Sequence, residues 1–304
     1  MARVSPHTRQ RGLALLIVLV VVALGSVIAV ALVERSQRAL ARTQALVDRQ
    51  QVMQLSQGMA LITERLLGER LRQADGVLMP EALAQWTPAY DIPGGTIQGR
   101  AWVLDGRFNL NALTHPTPER RDQARVVFGR LLQQLQLNAR LGDEIMAWLA
   151  SAAQSQPNPT NAPRAPLVHV SELREVPGLD EATYDALMPH VAVWPSPRLA
   201  LNVNATEPEV LAAFVEALDV TAARRVLASR PFRRSQDLWA EPVLAGASLT
   251  PDERDWLRVE SGVFLAHARV RFARDGQVQT HDGFRLIQTA GSGYDFRYVS
   301  QGVP

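Results

Sequence analysis

No cysteine occurs among the 304 residues. That excludes a disulfide framework, a thiolate nucleophile and a cysteine-ligated zinc or iron–sulfur site, while leaving the redox compartment open. Lysine is missing as well, so all 32 basic residues are arginine, which reads as the codon bias of a GC-rich genome rather than as a nucleic-acid surface. Arg3, Arg9 and Arg11 lie in the first twelve residues, so the remainder carries 29 basic against 30 acidic residues and is nearly neutral. Catalytic signatures are also absent: there is no H-E-x-x-H, no G-x-S-x-G, no P-loop and no Rossmann fingerprint, and the six histidines are scattered. His281-Asp282 does not make a hydrolytic pair, because sequence neighbours on a strand point to opposite faces. The composition predicts a non-enzymatic chain.

What is present is ample apolar material, 47% of residues with 20% charged, enough for more than one module with its own core. Leu13 to Val33 is an uncharged run of 21 residues. At ~1.5 Å per residue it reaches ~31 Å, one hydrocarbon core. The arginines before it place the leader in the cytoplasm and Glu34 onward across the inner membrane. Three readings of this segment compete: a secretory signal peptide cut after Ala29-Val30-Ala31, an uncleaved anchor, or a pilin-type signal. The run is longer than a usual signal-peptide core. Gln10-Arg11-Gly12 followed at once by Leu13-Ala14-Leu15-Leu16 resembles a prepilin peptidase signal, which implies processing between Gly12 and Leu13.

Between the apolar run and Pro80 there is no proline, and Val52, Leu55, Met59, Ile62 and Leu66 recur at spacings of three and four. That periodicity predicts that the helix continues over 34–75 and lays this stripe on a globular domain. In most pilins the fifth residue after the cut is glutamate, whose charge pairs with a neighbouring subunit's terminal amine. Here that position is Ile17. A subunit without the acid cannot neutralise an amine above it and suits the first place in a filament.

Further along, Thr96–Leu104, Asp105-Gly106 and Arg107-Phe108-Asn109-Leu110 predict a β-hairpin. Helical signals follow. Thr117-Pro118 reads as cap and first position, with Val126, Val127, Leu131, Leu135, Leu137, Ile145, Met146 and Leu149 as the apolar face. Ser155 to Pro166 holds four prolines and reads as a loop. Short helices are expected around Pro177-Gly178. A capping box is expected at Thr206/Glu209, opening a helix continued by Val226, Leu227, Phe232 and Leu238, and one more helix starts at Thr250-Pro251. Alternation from Phe264 to Phe272, the Asp275-Gly276 turn, Phe284–Ile287 and Tyr294–Tyr298 return the chain to strand. Asn109, Asn111, Asn202 and Asn204 are read as caps or turn formers.

Taken in order, Arg11–Leu16, the missing acid at Ile17, Gly106–Asn111, Val170-Ser171-Glu172-Leu173 and Leu201-Asn202-Val203-Asn204 resemble the type II secretion protein K family of minor pseudopilins. The resemblance covers essentially the whole chain. It implies an α+β, type IV pilin-like fold interrupted by two small SAM-like helical modules. The implied segments are a leader over 1–12, a transmembrane helix over 13–33, its periplasmic continuation over 34–75, β segments over 76–114 and 259–304, and modules over 115–200 and 201–258. It further implies the tip of a periplasmic pseudopilus, where the chain starts or caps the filament for export of folded proteins across the outer membrane. The implied partners are minor pseudopilins I, J and H, major pseudopilin G, the assembly platform and prepilin peptidase. The family's calcium loop has no counterpart here: between Ala150 and Ser171 there is not one carboxylate, whereas calcium takes six to eight oxygen ligands. No cofactor is expected.

The rival is a helix-hairpin-helix DNA-binding or DNA-uptake module, with Arg224, Arg225, Arg230, Arg233 and Arg234 as phosphate ligands. Against it, the hairpin position Ala217–Thr221 has no glycine and adds Asp219. N-terminal sequencing of the protein from membranes should give a start at Leu13. A start at Leu32 would mean signal-peptidase cleavage and remove the pilin reading.

Overall fold

The computed structural model describes residues 19–26, 30–38, 68–69, 77, 79–92, 95–154, 167–274, 277–290 and 293–301. The chain divides into two units, Met1–Gly58 and Met59–Pro304. In the first, helix α1 spans Leu19–Arg38 and is long and apolar enough to cross a membrane. Ser26, the polar side chain in the apolar stretch, donates from its hydroxyl to the Val22 carbonyl at 2.9 Å, so that this donor is met within the helix. Charge begins at the far end, where Arg38 pairs with Glu34 at 2.8 Å one turn earlier.

The second unit opens with α2 (Pro80–Ala84), β1 (Tyr90–Ile92) and β2 (Gly95–Val103). It then leaves the sheet through β3 (Phe108–Asn109), α3 (Pro118–Gln134), α4 (Arg140–Gln154), α5 (Glu181–Leu187) and β4 (Val191–Ala192). Next come β5 (Leu201–Asn202), α6 (Pro208–Phe214), α7 (Val220–Leu227), α8 (Ser235–Trp239), α9 (Pro242–Ala245), α10 (Pro251–Trp256) and β6 (Leu257–Arg258). The chain closes with β7 (Val263–Arg274), β8 (Gln277–Ala290) and β9 (Gly293–Gln301). The main sheet has the order β1-β2-β7-β8-β9, with antiparallel neighbours. Everything between β2 and β7 is therefore an insertion into one sheet.

The hairpin expected at Asp105-Gly106 is not there. β2 pairs with β7, from Gly95↔Phe272 to Val103↔Phe264, whereas Phe108-Asn109 pairs in parallel with Val191-Ala192 in a sheet of its own. The cause is burial. Phe108 and Leu110 are fully buried in the core of the insert, and on a hairpin partner of β2 they could not reach it. Gly106 makes the exit possible, since a Cβ there would lie 2.1 Å from the Ala205 carbonyl oxygen.

Two other expectations give way. Helix α6 starts at Pro208 with Glu207 as its cap residue and no side-chain cap bond. Thr206 instead turns its hydroxyl to the Glu207 carbonyl, so the expected Thr206/Glu209 box does not form. Proline at the first helical position brings no N–H to be capped. The helix expected to continue to Leu238 is also broken, into α6, α7 and α8: the chain already turns extended at Val215, and Pro231, between α7 and α8, cannot sit inside a helix. Val126 faces water at 53% exposure while Val127 is buried. Thr117 does precede Pro118 at the start of α3, and Thr250 and Glu253 form a reciprocal capping box on α10.

The Gly106→Ala variant should lose at least about 3 kcal/mol in thermal or urea unfolding, the upper end for overpacking, because the obstacle is backbone. Stability within 0.5 kcal/mol of the parent would mean that the close approach to Ala205 is absent.

Candidate functional site

The processing residues Gly12 and Leu13, the acid-less position Ile17, and the stripe Val52, Leu55, Met59, Ile62 and Leu66 all lie outside the described residues. So does 155–166, most of the carboxylate-free stretch that weighs against calcium. The sites that can be built from side chains are in the insert and on the sheet.

The insert uses one asparagine device twice. In the first instance the Asn109 side chain accepts from the Asn111 N–H at 3.2 Å. Asn111 then donates to the carbonyls of Leu167 at 3.0 Å and Trp194 at 2.8 Å, and accepts from the Leu167 N–H at 2.7 Å. In the second, Asn202 accepts from the Asn204 N–H at 3.0 Å. Asn204 donates to the carbonyls of Phe232 and Val259, both at 2.8 Å, and accepts from the Phe232 N–H at 2.8 Å. In each, a two-residue parallel ladder sits beside the pair, β3 with β4 and β5 with β6. All four asparagines are 1% exposed or less. The cap reading holds for Asn109 and Asn202. Asn111 and Asn204 do something else: each cross-links two distant segments of chain, using both N–H donors and its oxygen in the core.

At the root of the insert stands Asp105, 8% exposed. Its carboxylate accepts from the Gly262 N–H at 2.6 Å and from the Asn202 side chain at 3.4 Å, and its carbonyl accepts from the Asn202 N–H at 2.7 Å. Asn202 also donates to the Ser261 hydroxyl at 2.9 Å. Burial pushes the Asp105 carboxyl up to about 7, against the Gly262 amide and the Asn202 side chain, which favour the ionised form. Sequence reading took Asp105 for an ordinary turn residue. Nothing local distinguishes it, since its partners lie about 100 and 157 residues away.

The segment weighed as a DNA hairpin, between α6 and α7, has its anion built in. The Glu216 N–H donates to the Glu253 carboxylate at 2.9 Å, and the Ala222 N–H to Asp219 at 2.6 Å. Arg230 is spent on the carbonyls of Leu227, Asn204 and Thr206, and Arg234 on Asp237 at 2.9 Å. Arg224, Arg225 and Arg233 are exposed. A phosphate approaching this hairpin would meet carboxylates on the amides it needs.

On the sheet, the face shared by Trp102, Arg100, Leu265, His267, Arg269, Asp282 and Phe284 carries a second network, with Trp86 packed on it. His267, 3% exposed, bonds through Nε2 to Asp282 at 2.9 Å, and its Nδ1 accepts from Arg100 Nε at 3.2 Å. An arginine can only donate, so the imidazole is neutral with its proton on Nε2. Burial holds His267 below its ordinary value, opposed by Asp282. Burial alone would raise Asp282, but the bonds from Arg269 (2.7 and 3.2 Å) and His267 outweigh it and hold the carboxyl below the usual range. A histidine whose second nitrogen is occupied by an arginine cannot serve a nucleophile as general base. His281, the partner considered in the sequence, belongs to the opposite face of β8. Among the described residues there is no cluster of three metal-binding side chains.

The family described as type II secretion system protein K matches over residues 106–196 and again over 201–260. The chain is 30% identical to type II secretion system protein K of Klebsiella pneumoniae over 287 residues, covering 85% of this chain and 87% of that one. It is 28% identical to the protein of that name from Pectobacterium carotovorum over 253 residues, 74% and 76%. Its fold matches a chain of the solved GspK-GspI-GspJ complex from enterotoxigenic Escherichia coli with a TM-score of 0.66 at 22% identity, over 86% of this chain and all of that one.

Two measurements check the buried networks. Asn111→Ala and Asn204→Ala should each lower unfolding free energy by about 3–5 kcal/mol, because each strands two carbonyls and an N–H in the core. Asp105→Asn should lower it by about 1–3 kcal/mol at pH 5, since a carboxamide meets one donor with another donor. The folded pKa near 7 lies above an unfolded value of about 3.9. The wild-type group therefore stabilises fully below pH ~4 and loses that contribution as pH rises through 7. The deficit of the asparagine variant must shrink between pH 5 and pH 8, and a deficit that grows refutes the assignment.

Proposed function

The chain belongs to the type II secretion system protein K family, and from that premise we propose that it is the tip subunit of a periplasmic pseudopilus, a minor pseudopilin held first in the inner membrane by one helix. The observation that carries this reading is the architecture: a five-stranded sheet interrupted between β2 and β7 by a helical body with its own core. Another subunit stacked on that end of the sheet would meet the insert. The sequence adds Ile17 where a stacking subunit needs an acid. Bulk above and a missing charge partner below the next subunit point the same way.

The sheet and α1 are the parts of a type IV pilin-like fold, and the doubled asparagine device fits two SAM-like modules. By likeness to the GspK chain solved with GspI and GspJ, the partners are the corresponding pseudopilins I and J, with H, major pseudopilin G and the assembly platform in the same filament pathway. Prepilin peptidase would cut after Gly12, the bulk of the chain would be periplasmic, and the role needs neither catalysis nor a cofactor. The work done is geometric: it templates the first turn of a filament whose growth drives folded proteins outward.

The insert can be removed cleanly on paper, because the Leu104 N–H donates to the Val263 carbonyl at 2.9 Å where the chain leaves and re-enters the sheet. Replacing 105–262 by an Asn-Gly turn closes an ordinary hairpin. Such a variant should be exported and cut at Leu13 yet lower secretion at least ~10-fold, as should Ile17→Glu, a cost of about 1.4 kcal/mol or more in assembly. Unchanged secretion in both would end the tip assignment.

A further inference from the structure

The network on the sheet face leaves one group incompletely used. The Arg100 guanidinium carbon lies 4.5 Å from the ring centroids of both Trp86 and Trp102, and its Nε is held by His267 Nδ1. That histidine is fixed in turn by Asp282 and by stacking on Phe284 at 4.2 Å. Arg269 also lies over Trp86, at 4.7 Å, but its charge is matched by Asp282. Arg100 has no carboxylate among the described residues. It is half-buried, as are both indoles.

A guanidinium that lies against two indoles and whose Nε is taken keeps one edge, the two terminal nitrogens. That edge is a planar pair of donors at the spacing of a carboxylate, already held in one orientation. Leaving a half-desolvated cation unpaired is unfavourable, while tryptophan and arginine together are the side chains that most often dominate protein interfaces. The same face is closed at its other end, where Leu104, Val263 and Leu286 pack on Ala192 and Trp194 of the insert. The open part is therefore a shelf beside the helical body. Among the residues whose side chains are described, this part carries Arg100, Arg269 and the exposed Arg271, of which only Arg269 is paired to a carboxylate.

We propose that the Arg100 fork, clamped by Trp86 and Trp102, receives an aspartate or glutamate side chain of a partner pseudopilin, I or J, and that this shelf is the lateral docking surface. The choice of partner rests on the function proposed above, whereas the carboxylate preference rests on the geometry alone. The full chain, co-expressed with I and J and purified in detergent, supplies the test. Arg100→Gln should weaken assembly about 10- to 100-fold, the worth of a charge-assisted bond to a carboxylate. Arg100→Lys, which keeps the charge and not the fork, should fall between. Near-UV circular dichroism and melting temperature verify that the variants are folded. Restoration of Arg100→Glu binding by an acid-to-arginine change in I or J confirms the contact. Assembly of Arg100→Gln at the parental affinity overturns it.

If the unmodified chain does not join I and J, the partner assignment above fails and a peptide decides the carboxylate site. Hexaglutamate should quench tryptophan fluorescence saturably in the parent and not in Arg100→Gln, while dextran sulfate should bind no better in the parent than in the variant. No saturable quenching, or equal loss of dextran sulfate binding in the variant, refutes a carboxylate-specific site.

Discussion

The bond on which the rest of the structure hangs is the one between the Asp105 carboxylate and the Gly262 N–H, 2.6 Å long and joining residues 157 positions apart. It closes the neck through which a large helical body is grown from a sheet. Beside it, the Leu104 N–H reaches the Val263 carbonyl and the Asp105 carbonyl takes the Asn202 N–H. One residue therefore ties strand β2, strand β7 and the second half of the insert together. Because the carboxyl is buried, its charge is disfavoured and its donors must be in place. The insert is thus tied to the sheet at the point where the chain leaves and re-enters it.

Inside the insert, stability and specificity come from different sources. The apolar core, from Phe108 through Phe128 and Phe214 to Trp256, supplies the bulk of the driving force in proportion to the area it buries. It does not choose among similar packings. The paired asparagines do, because a fully satisfied buried amide tolerates no shift of its partners. Asn111 holds Leu167 just before the short 3-10 helix Val170–Glu175, and Asn204 holds Phe232 just before α8. Two halves of unequal length thus share one internal scaffold, with a two-residue parallel ladder at each base.

The sheet divides its labour by face. One side buries Ile97, Ala101, Val103, Phe264, Ala266, Ala268, Val270 and Ile287 with little polar content. The other carries the His267 network with its half-exposed tryptophans. Alternation along β7 made the apolar side readable in advance, as positions 264 to 272 at period two. The polar side was not readable. His267, Arg269 and Asp282 look like scattered surface residues until β2, β7 and β8 are aligned, and only the register Arg100↔His267 and Arg269↔Asp282 brings them together. The misplaced hairpin at Asp105-Gly106 has the same root. A turn dipeptide states that the chain changes direction, not which strand it then accompanies.

What the sequence determined by itself is local or periodic: the membrane-length apolar run, the strand alternation, the capping box at Thr250, the order of sheet, helices and sheet, and a set of motifs characteristic of one secretion family. Such features are written in residues a few positions apart, where propensity and pattern act directly. Tertiary structure alone decided that β2 belongs with β7, that Asn111 and Asn204 are clamps rather than caps, and that Asp105 is a buried carboxyl near neutrality while His267 is held neutral by an arginine. Each depends on burial and on partners from 28 to 177 residues away. Closing loops of that length is decided by the free energy of the whole core, not by any segment within it.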